Sequence, residues 1–204
     1  EEMEDDALDR DARIKLSIGT KQEGNADGQF DYPVGLGFDH HRGLLMVADY
    51  DNHRVQVLSC DDDGGGSFVS KFGEEGNQPG QFQHPWGLAI DHDHDRILIT
   101  DQANNRVQSW SLSDQSFLSC IGQYGSGDLE FQYPRGIAID KHHHRIIIAD
   151  TDNHRLVFLS SIDLSFLFEI GKRGSRPGEF NAPSSTAIDD DRHRIIVSDT
   201  GNHR

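Results

Sequence analysis

The chain has 204 residues, of which 34% are hydrophobic, with 21 glycines and two cysteines. Its 35 acidic against 19 basic residues give a formal net charge of −16. That balance argues against a Lys/Arg footprint for nucleic acid and against binding to anionic membrane surfaces. No apolar run approaches the ~18 residues that would span a bilayer as a helix.

The first segment, EEMEDDALDRD (residues 1–11), holds seven acids in eleven positions and reads as a solvated, disordered lead-in. Residues 12–204 then read as one tandem array. Segments FDYPVGLGFD (30–39), FQHPWGLAID (82–91), FQYPRGIAID (131–140) and FNAPSSTAID (180–189) start 52, 49 and 49 residues apart. In each copy a second aspartate follows ten residues after the first: Asp39/Asp49, Asp91/Asp101, Asp140/Asp150 and Asp189/Asp199. A period of this size marks a solenoid, a propeller or an array. The copies fall at about 30–73, 82–122, 131–171 and 180–204, the last one incomplete. RIKLSIGTKQEGNADGQF (13–30) aligns with the outer strand and linker of an earlier copy.

One copy suffices to predict the architecture. In the third, GIAID (136–140), IIIAD (146–150), RLVFLS (155–160) and SFLFEIG (165–171) are four short strands rich in β-branched and aromatic residues. The polar turns KHHHR, TDNH and SIDL separate them. Four antiparallel strands in about 49 residues match one blade of a β-propeller. The fold class expected is therefore all-β, a partial arc of radial four-stranded blades. The Gly/Pro linkers, such as GKRGSRPGEF (171–180), carry the chain from an outer strand to the next inner one. Phe30, Phe82, Phe131 and Phe180 are expected to anchor those crossings between blades.

The pattern FxxPxGIAxD, IxVADTxNHRVxVF, FxxxFG and GxxGxxPGxF resembles the NHL repeat from about Ile14 to Arg204. The resemblance implies a propeller, most often of six blades, serving as a binding platform, as in tripartite-motif ubiquitin ligases; a related propeller is an amidating lyase. Six blades of this period would need about 90 further residues, so the sequence reads as a fragment.

The most conspicuous stretch of each copy is an acid, an Asn and a His or Asn before Arg. These residues are Asp49, Asn52, His53 and Arg54; Asp101, Asn104 and Arg106; Asp150, Asn153, His154 and Arg155; Asp199, Asn202, His203 and Arg204. A catalytic group is not needed once per blade, so the motif reads as architecture. The aspartate is expected to accept backbone N–H bonds of the following turn, Asn to take the tight-turn conformation, and His and Arg to tie the turn to a neighbouring strand or blade.

Two groups of residues are candidates for function. Histidines crowd the first hairpin tip of every copy, with His92, His94, His142 and His144 as weak metal-ligand candidates beside a reading as turn-compatible polar residues. The second group flanks the repeated proline, where identity varies inside a fixed frame: Tyr32 and Val34, His84 and Trp86, Tyr133 and Arg135, Ala182 and Ser184. In a propeller these positions ring the channel mouth. Trp, Tyr and Arg are the residue types enriched in binding hot spots. Tyr50, Gln102 and Thr151 are expected on the rim of that surface. No nucleophile elbow, zinc-protease helix or phosphate loop is present in the sequence. The expectation is a non-catalytic module without cofactor, binding a protein or peptide with basic segments inside the cell. An RNA-binding propeller and a metal-dependent enzyme are the alternatives. Cys60 and Cys120 occupy non-equivalent positions, as unpaired thiols of a reduced compartment would.

Overall fold

The structure, a computed structural model, describes residue 19, residues 22–60 and residues 66–204. The acidic lead-in and most of the expected earlier outer strand lie outside the described residues. The first blade is β1 (Pro33–Asp39), β2 (Leu44–Asp49), β3 (Arg54–Cys60) and β4 (Gly66–Phe72). The second is β5 (Pro85–Asp91), β6 (Arg96–Asp101), β7 (Arg106–Ser111) and β8 (Phe117–Ile121). A short ribbon, β9 (Gln123–Tyr124) with β10 (Glu130–Phe131), follows. The third blade is β11 (Pro134–Asp140), β12 (Arg145–Asp150), β13 (Arg155–Ser160) and β14 (Phe166–Ile170). Strands β15 (Pro183–Asp189) and β16 (Arg194–Asp199) form the last, two-stranded sheet.

Each blade is an antiparallel meander in chain order. The linkers are not plain turns, because they fold back and pair with themselves. β9 and β10 run parallel, and Glu75 with Phe82 and Arg173 with Phe180 make the same bridge in the neighbouring linkers. Among the described residues, helical structure is limited to two three-residue 3₁₀ turns, and no helix is long and apolar enough to cross a membrane.

The core lies between the sheets. Met46, Val55, Val57 and Phe72 of the first blade pack on Phe82 and on Leu88, Ile97, Ile99 and Trp110 of the second. Leu98 and Val107, on the other face of the second blade, pack on Phe131 and the third blade. Middle strands such as Ile146–Ile148 are apolar at every position because neighbouring blades cover both of their faces. Burial is thus borrowed from the neighbour. Leu88 and Ile137 are 7% and 6% exposed, while their equivalent in the first blade, Leu36, is 63% exposed.

The innermost strands lie against one another, β1 on β5, β5 on β11 and β11 on β15. Their approach is closest at the glycine of the Pro-x-Gly segment. A Cβ at Gly87 would sit 2.2 Å from the Arg135 carbonyl oxygen, and one at Gly35 would sit 2.0 Å from the Trp86 carbonyl oxygen. Between these strands is a cavity of about 190 Å³, lined by Val34, Trp86, Leu88, Ile137 and Thr186 among others. Each inner strand enters through an irregular pairing, for example between Pro85 and Leu88. The residue before each proline that opens an inner strand has a left-handed backbone, with φ of 53° at Tyr32, 59° at His84, 49° at Tyr133 and 52° at Ala182.

Candidate functional site

The repeated acid–Asn–His–Arg turn holds the blade to its linker. Asp101 is fully buried; one carboxylate oxygen accepts the Gln83 N–H at 2.7 Å, and the other accepts Asn104 Nδ2 and Arg106 Nε. The Arg106 guanidinium then donates to the carbonyls of Asn77, Gln78 and Gln81 in the linker. The same set recurs at Asp49 and Arg54, Asp150 and Arg155, and Asp199 and Arg204. This corrects the expectation in one respect. The backbone N–H bound by each aspartate belongs to the segment leading into the innermost strand, 18 residues earlier, and not to the turn that follows.

A second correction concerns the turn conformation. The left-handed residue is the one after the motif asparagine: His53, Asn105, His154 and His203, with φ of 54–56°. Asn104 instead spends its amide on Asp101 and on the Gly76 carbonyl. The left-handed residue reaches the next blade. His53 Nδ1 accepts the His84 N–H at 3.1 Å, Asn105 Oδ1 accepts the Tyr133 N–H at 2.9 Å, and His154 Nδ1 accepts the Ala182 N–H at 3.0 Å. Histidine and asparagine both tolerate positive φ and both present an acceptor at this reach, so either fills the position.

These bonds hold the backbone of His84, Tyr133 and Ala182, and the pre-proline residues display their side chains at the channel mouth. The side chains form a continuous arc across three blades. Tyr32 contacts Tyr50 at 5.4 Å between ring centroids, Tyr50 stacks on His84 at 4.5 Å and 15°, and Trp86 stands edge-on to Tyr50 at 5.4 Å. The Arg135 guanidinium lies 4.5 Å above the Trp86 ring, within cation–π range. Tyr32 and Tyr133 are 59% and 45% exposed, while His84, Trp86 and Arg135 are half-buried. Asp51 stands 3.6 Å from His84. Burial and then the Asp51 charge push the Tyr50 phenol up, keeping it protonated as a donor to Gln102 Oε1 at 2.9 Å.

Not every expected rim residue reaches the surface. Gln102 and Thr151 are 2% and 1% exposed. Gln102 receives the Tyr50 hydroxyl, and Thr151 Oγ1 donates to the Pro183 carbonyl at 2.8 Å, so both position the surface from beneath it. Thr100 does the same, donating to the Arg135 carbonyl at 2.6 Å and accepting the Gly87 N–H. Gln56 and Gln108 also escaped the sequence reading. Each joins the motif aspartate to a linker carbonyl, but the third copy has Val157 there, so the repeat gave no signal.

The hairpin tips are held by a second set of Asp–Arg pairs: Asp39–Arg42, Asp91–Arg96, Asp140–Arg145 and Asp189–Arg194. At Asp140 burial works upward, but the bonds from Arg145 and His143 outweigh it and hold the carboxyl below its usual value. Among the metal-ligand candidates, His92 lies beside His40 and His41, whereas His94 Nδ1 is 3.0 Å from Asp91. His142 stacks on His193, and His144 takes the left-handed turn position.

A family model described as the NHL repeat matches residues 30–58, 82–109 and 131–157. Rat (Rattus norvegicus) peptidylglycine alpha-amidating monooxygenase is 32% identical over 92 residues, covering 43% of this chain and 9% of that protein. Drosophila melanogaster protein brain tumor is 30% identical over 80 residues, covering 39% of this chain and 7% of that protein. The matched segment therefore spans less than a tenth of either relative. A solved nidogen/laminin complex contains a similar fold, with a TM-score of 0.63 at 18% identity over 84% of this chain and 58% of that one. Each matched stretch contains one of the aspartate–arginine turns that hold a blade to its linker, and the chain carries three NHL repeats.

Proposed function

We propose that this propeller segment is a non-catalytic binding module that holds a protein or peptide on the channel-mouth face. The observation that carries the reading is the arc Tyr32–Tyr50–His84–Trp86–Arg135, contiguous across three blades and displayed by a rigid frame. Rigid aromatic surface loses little conformational entropy on binding, and Trp, Tyr and Arg dominate hot spots. The half-buried Arg135 guanidinium at the mouth carries several N–H donors, which a ligand bringing a carbonyl oxygen can engage. Peptide backbone supplies such oxygens at every residue.

Charge selects among peptides. Asp51 and Asp152 are exposed beside the arc, and the chain carries −16 overall. Lys or Arg segments are attracted and phosphates repelled over a Debye length of ~8 Å at physiological salt. The motif's aspartates, asparagines and arginines are engaged in holding linkers and blades, which supports a reading without catalysis. The partner would be held for another module to act on, as in substrate recruitment by a ubiquitin ligase. Two free cysteines, Cys60 and Cys120, suit an intracellular setting.

The test is a binding screen of the chain against peptide arrays and single-stranded RNA, with Trp86→Ala and Arg135→Ala in parallel. Selection of basic peptides, lost in both variants and tightened at low salt, is expected. Submicromolar RNA binding at 150 mM salt, abolished by Arg135→Ala, would replace the peptide reading with an RNA-binding one.

A further inference from the structure

The strands that begin at the channel mouth end, at Asp39 and Asp91, in hairpin tips on the opposite face. There the first two blades bring together three imidazoles. Ring centroids are 4.3 Å apart for His40 and His41, 4.8 Å for His40 and His92, and 4.3 Å for His41 and His92. One ligand nitrogen from each lies within 4.8 Å of the others. We propose that His40, His41 and His92 form a binding site for a divalent transition-metal ion of the zinc class, bridging two blades on the face away from the channel mouth.

Three features distinguish this group from polar residues that merely populate a turn. The tip backbone that carries His40 and His41 is fixed, because Asp39 accepts the His41 and Arg42 N–H bonds and the Arg42 guanidinium. His92 is set in a 3₁₀ turn with its side chain only 12% exposed, and its Nε2 lies 3.9 Å from the fully buried Asp39 carboxylate. At that distance the carboxylate does not hydrogen-bond the ring, but its charge favours a cation beside it. Lys141, from the third blade, acts on His92 with the opposite sign.

The equivalent tips of the third and fourth blades provide a built-in comparison. There His142 and His193 stack face to face at 4.3 Å and 25°, and His143 turns to Asp140 at 2.8 Å. Stacked rings do not converge their nitrogens on one point. Among the described residues only the first pair of tips gathers three convergent ligand atoms.

Nitrogens on one tetrahedral zinc at ~2.0–2.1 Å stand about 3.3 Å apart. Ligation therefore needs an inward closure of about 1.5 Å, available to the exposed His40 and His41 by side-chain rotation alone. Imidazole suits zinc, copper and nickel, whereas calcium and magnesium require oxygen ligands. Three ligands leave a coordination position toward solvent.

The experiment titrates the 204-residue chain with zinc alone against a chromogenic chelator, and with cobalt(II) to read coordination from its visible bands. One equivalent binding with a Kd of about 10 µM or tighter is expected, together with a rise in melting temperature on zinc addition. His40→Ala/His41→Ala and, separately, His92→Gln should each weaken binding by about 10–100-fold. Circular dichroism and a metal-free melt confirm that each variant folds. His142→Asn/His143→Asn should leave zinc affinity unchanged. Zinc weaker than about 100 µM, an affinity unmoved by the first two variants, or a loss caused only by the third would overturn the assignment.

Discussion

His154 of the third blade accepts the backbone N–H of Ala182 in the next blade at 3.0 Å. Asn105 makes the same bond to Tyr133 at 2.9 Å through a different atom. Stability at this position should therefore follow two properties together, tolerance of positive φ and an acceptor at the correct reach. His154→Asn is expected to fold with stability within ~0.5 kcal/mol of the parent. His154→Leu should lose about 2 kcal/mol, from an orphaned N–H and left-handed strain. Urea denaturation of both variants checks this, and equal losses would refute it.

The approach of the inner strands makes a sharper prediction. A Cβ at Gly87 would lie 2.2 Å from a backbone oxygen of the neighbouring strand, and that atom moves only if the two blades separate. Gly87→Ala should cost about 3 kcal/mol or prevent folding. Because Gly28 has open space where a Cβ would sit but a φ of 77°, Gly28→Ala should cost about 1 kcal/mol, from backbone strain alone.

Arg106 joins Asp101 to three linker carbonyls while only 8% exposed. Removing its charge leaves a buried carboxylate with reduced compensation. Arg106→Met should cost about 3–5 kcal/mol, measured as a shift of the urea midpoint. Substitution at the exposed Arg192 should move it by less than ~0.5 kcal/mol.

His53 gives a pH signature. Burial, then repulsion from His84, lowers its pKa below the ordinary 6.5, and its neutral Nδ1 is the acceptor for the His84 N–H. The folded state therefore binds fewer protons here than the unfolded one. The contribution is complete above pH 6.5 and is lost as pH falls through the lowered folded value. His53→Asn should flatten this part of the stability profile below pH 6.5 while leaving stability at pH 8 nearly unchanged. A wild-type-minus-variant difference that is constant with pH would refute the assignment.

Tyr133 combines a 45% exposed ring with a φ of 49°. Asn adopts that backbone more readily. If the mouth is the binding surface, Tyr133→Asn should hold or raise the melting temperature while weakening peptide affinity about tenfold. Parallel thermal melts and binding isotherms separate the two effects.

Much of this architecture was legible because the repeat states it four times. The strands expected from GIAID, IIIAD, RLVFLS and SFLFEIG agree with β11 to β14 to within two residues at each end. What escaped was what pattern alone does not carry. The asparagine looked like the turn-former, yet its neighbour takes positive φ, because Asn153 must keep its amide on Asp150 and Gly125. Gln102 and Thr151 looked like rim residues by position, but side-chain burial depends on what the next blade lays over them. The meeting of His40 and His41 with His92 joins tips 52 residues apart, and no spacing within one tip announces it.

The four pre-proline positions share one backbone geometry, with φ between 49° and 59°, yet carry Tyr, His, Tyr and Ala. Three of them, His84, Tyr133 and Ala182, also receive a backbone bond from the preceding blade, and all four keep the same geometry across three different side chains. Such positions work as sockets. A single substitution can exchange the group presented to a ligand while the fold stays as it was, so new specificities are one step away from old ones.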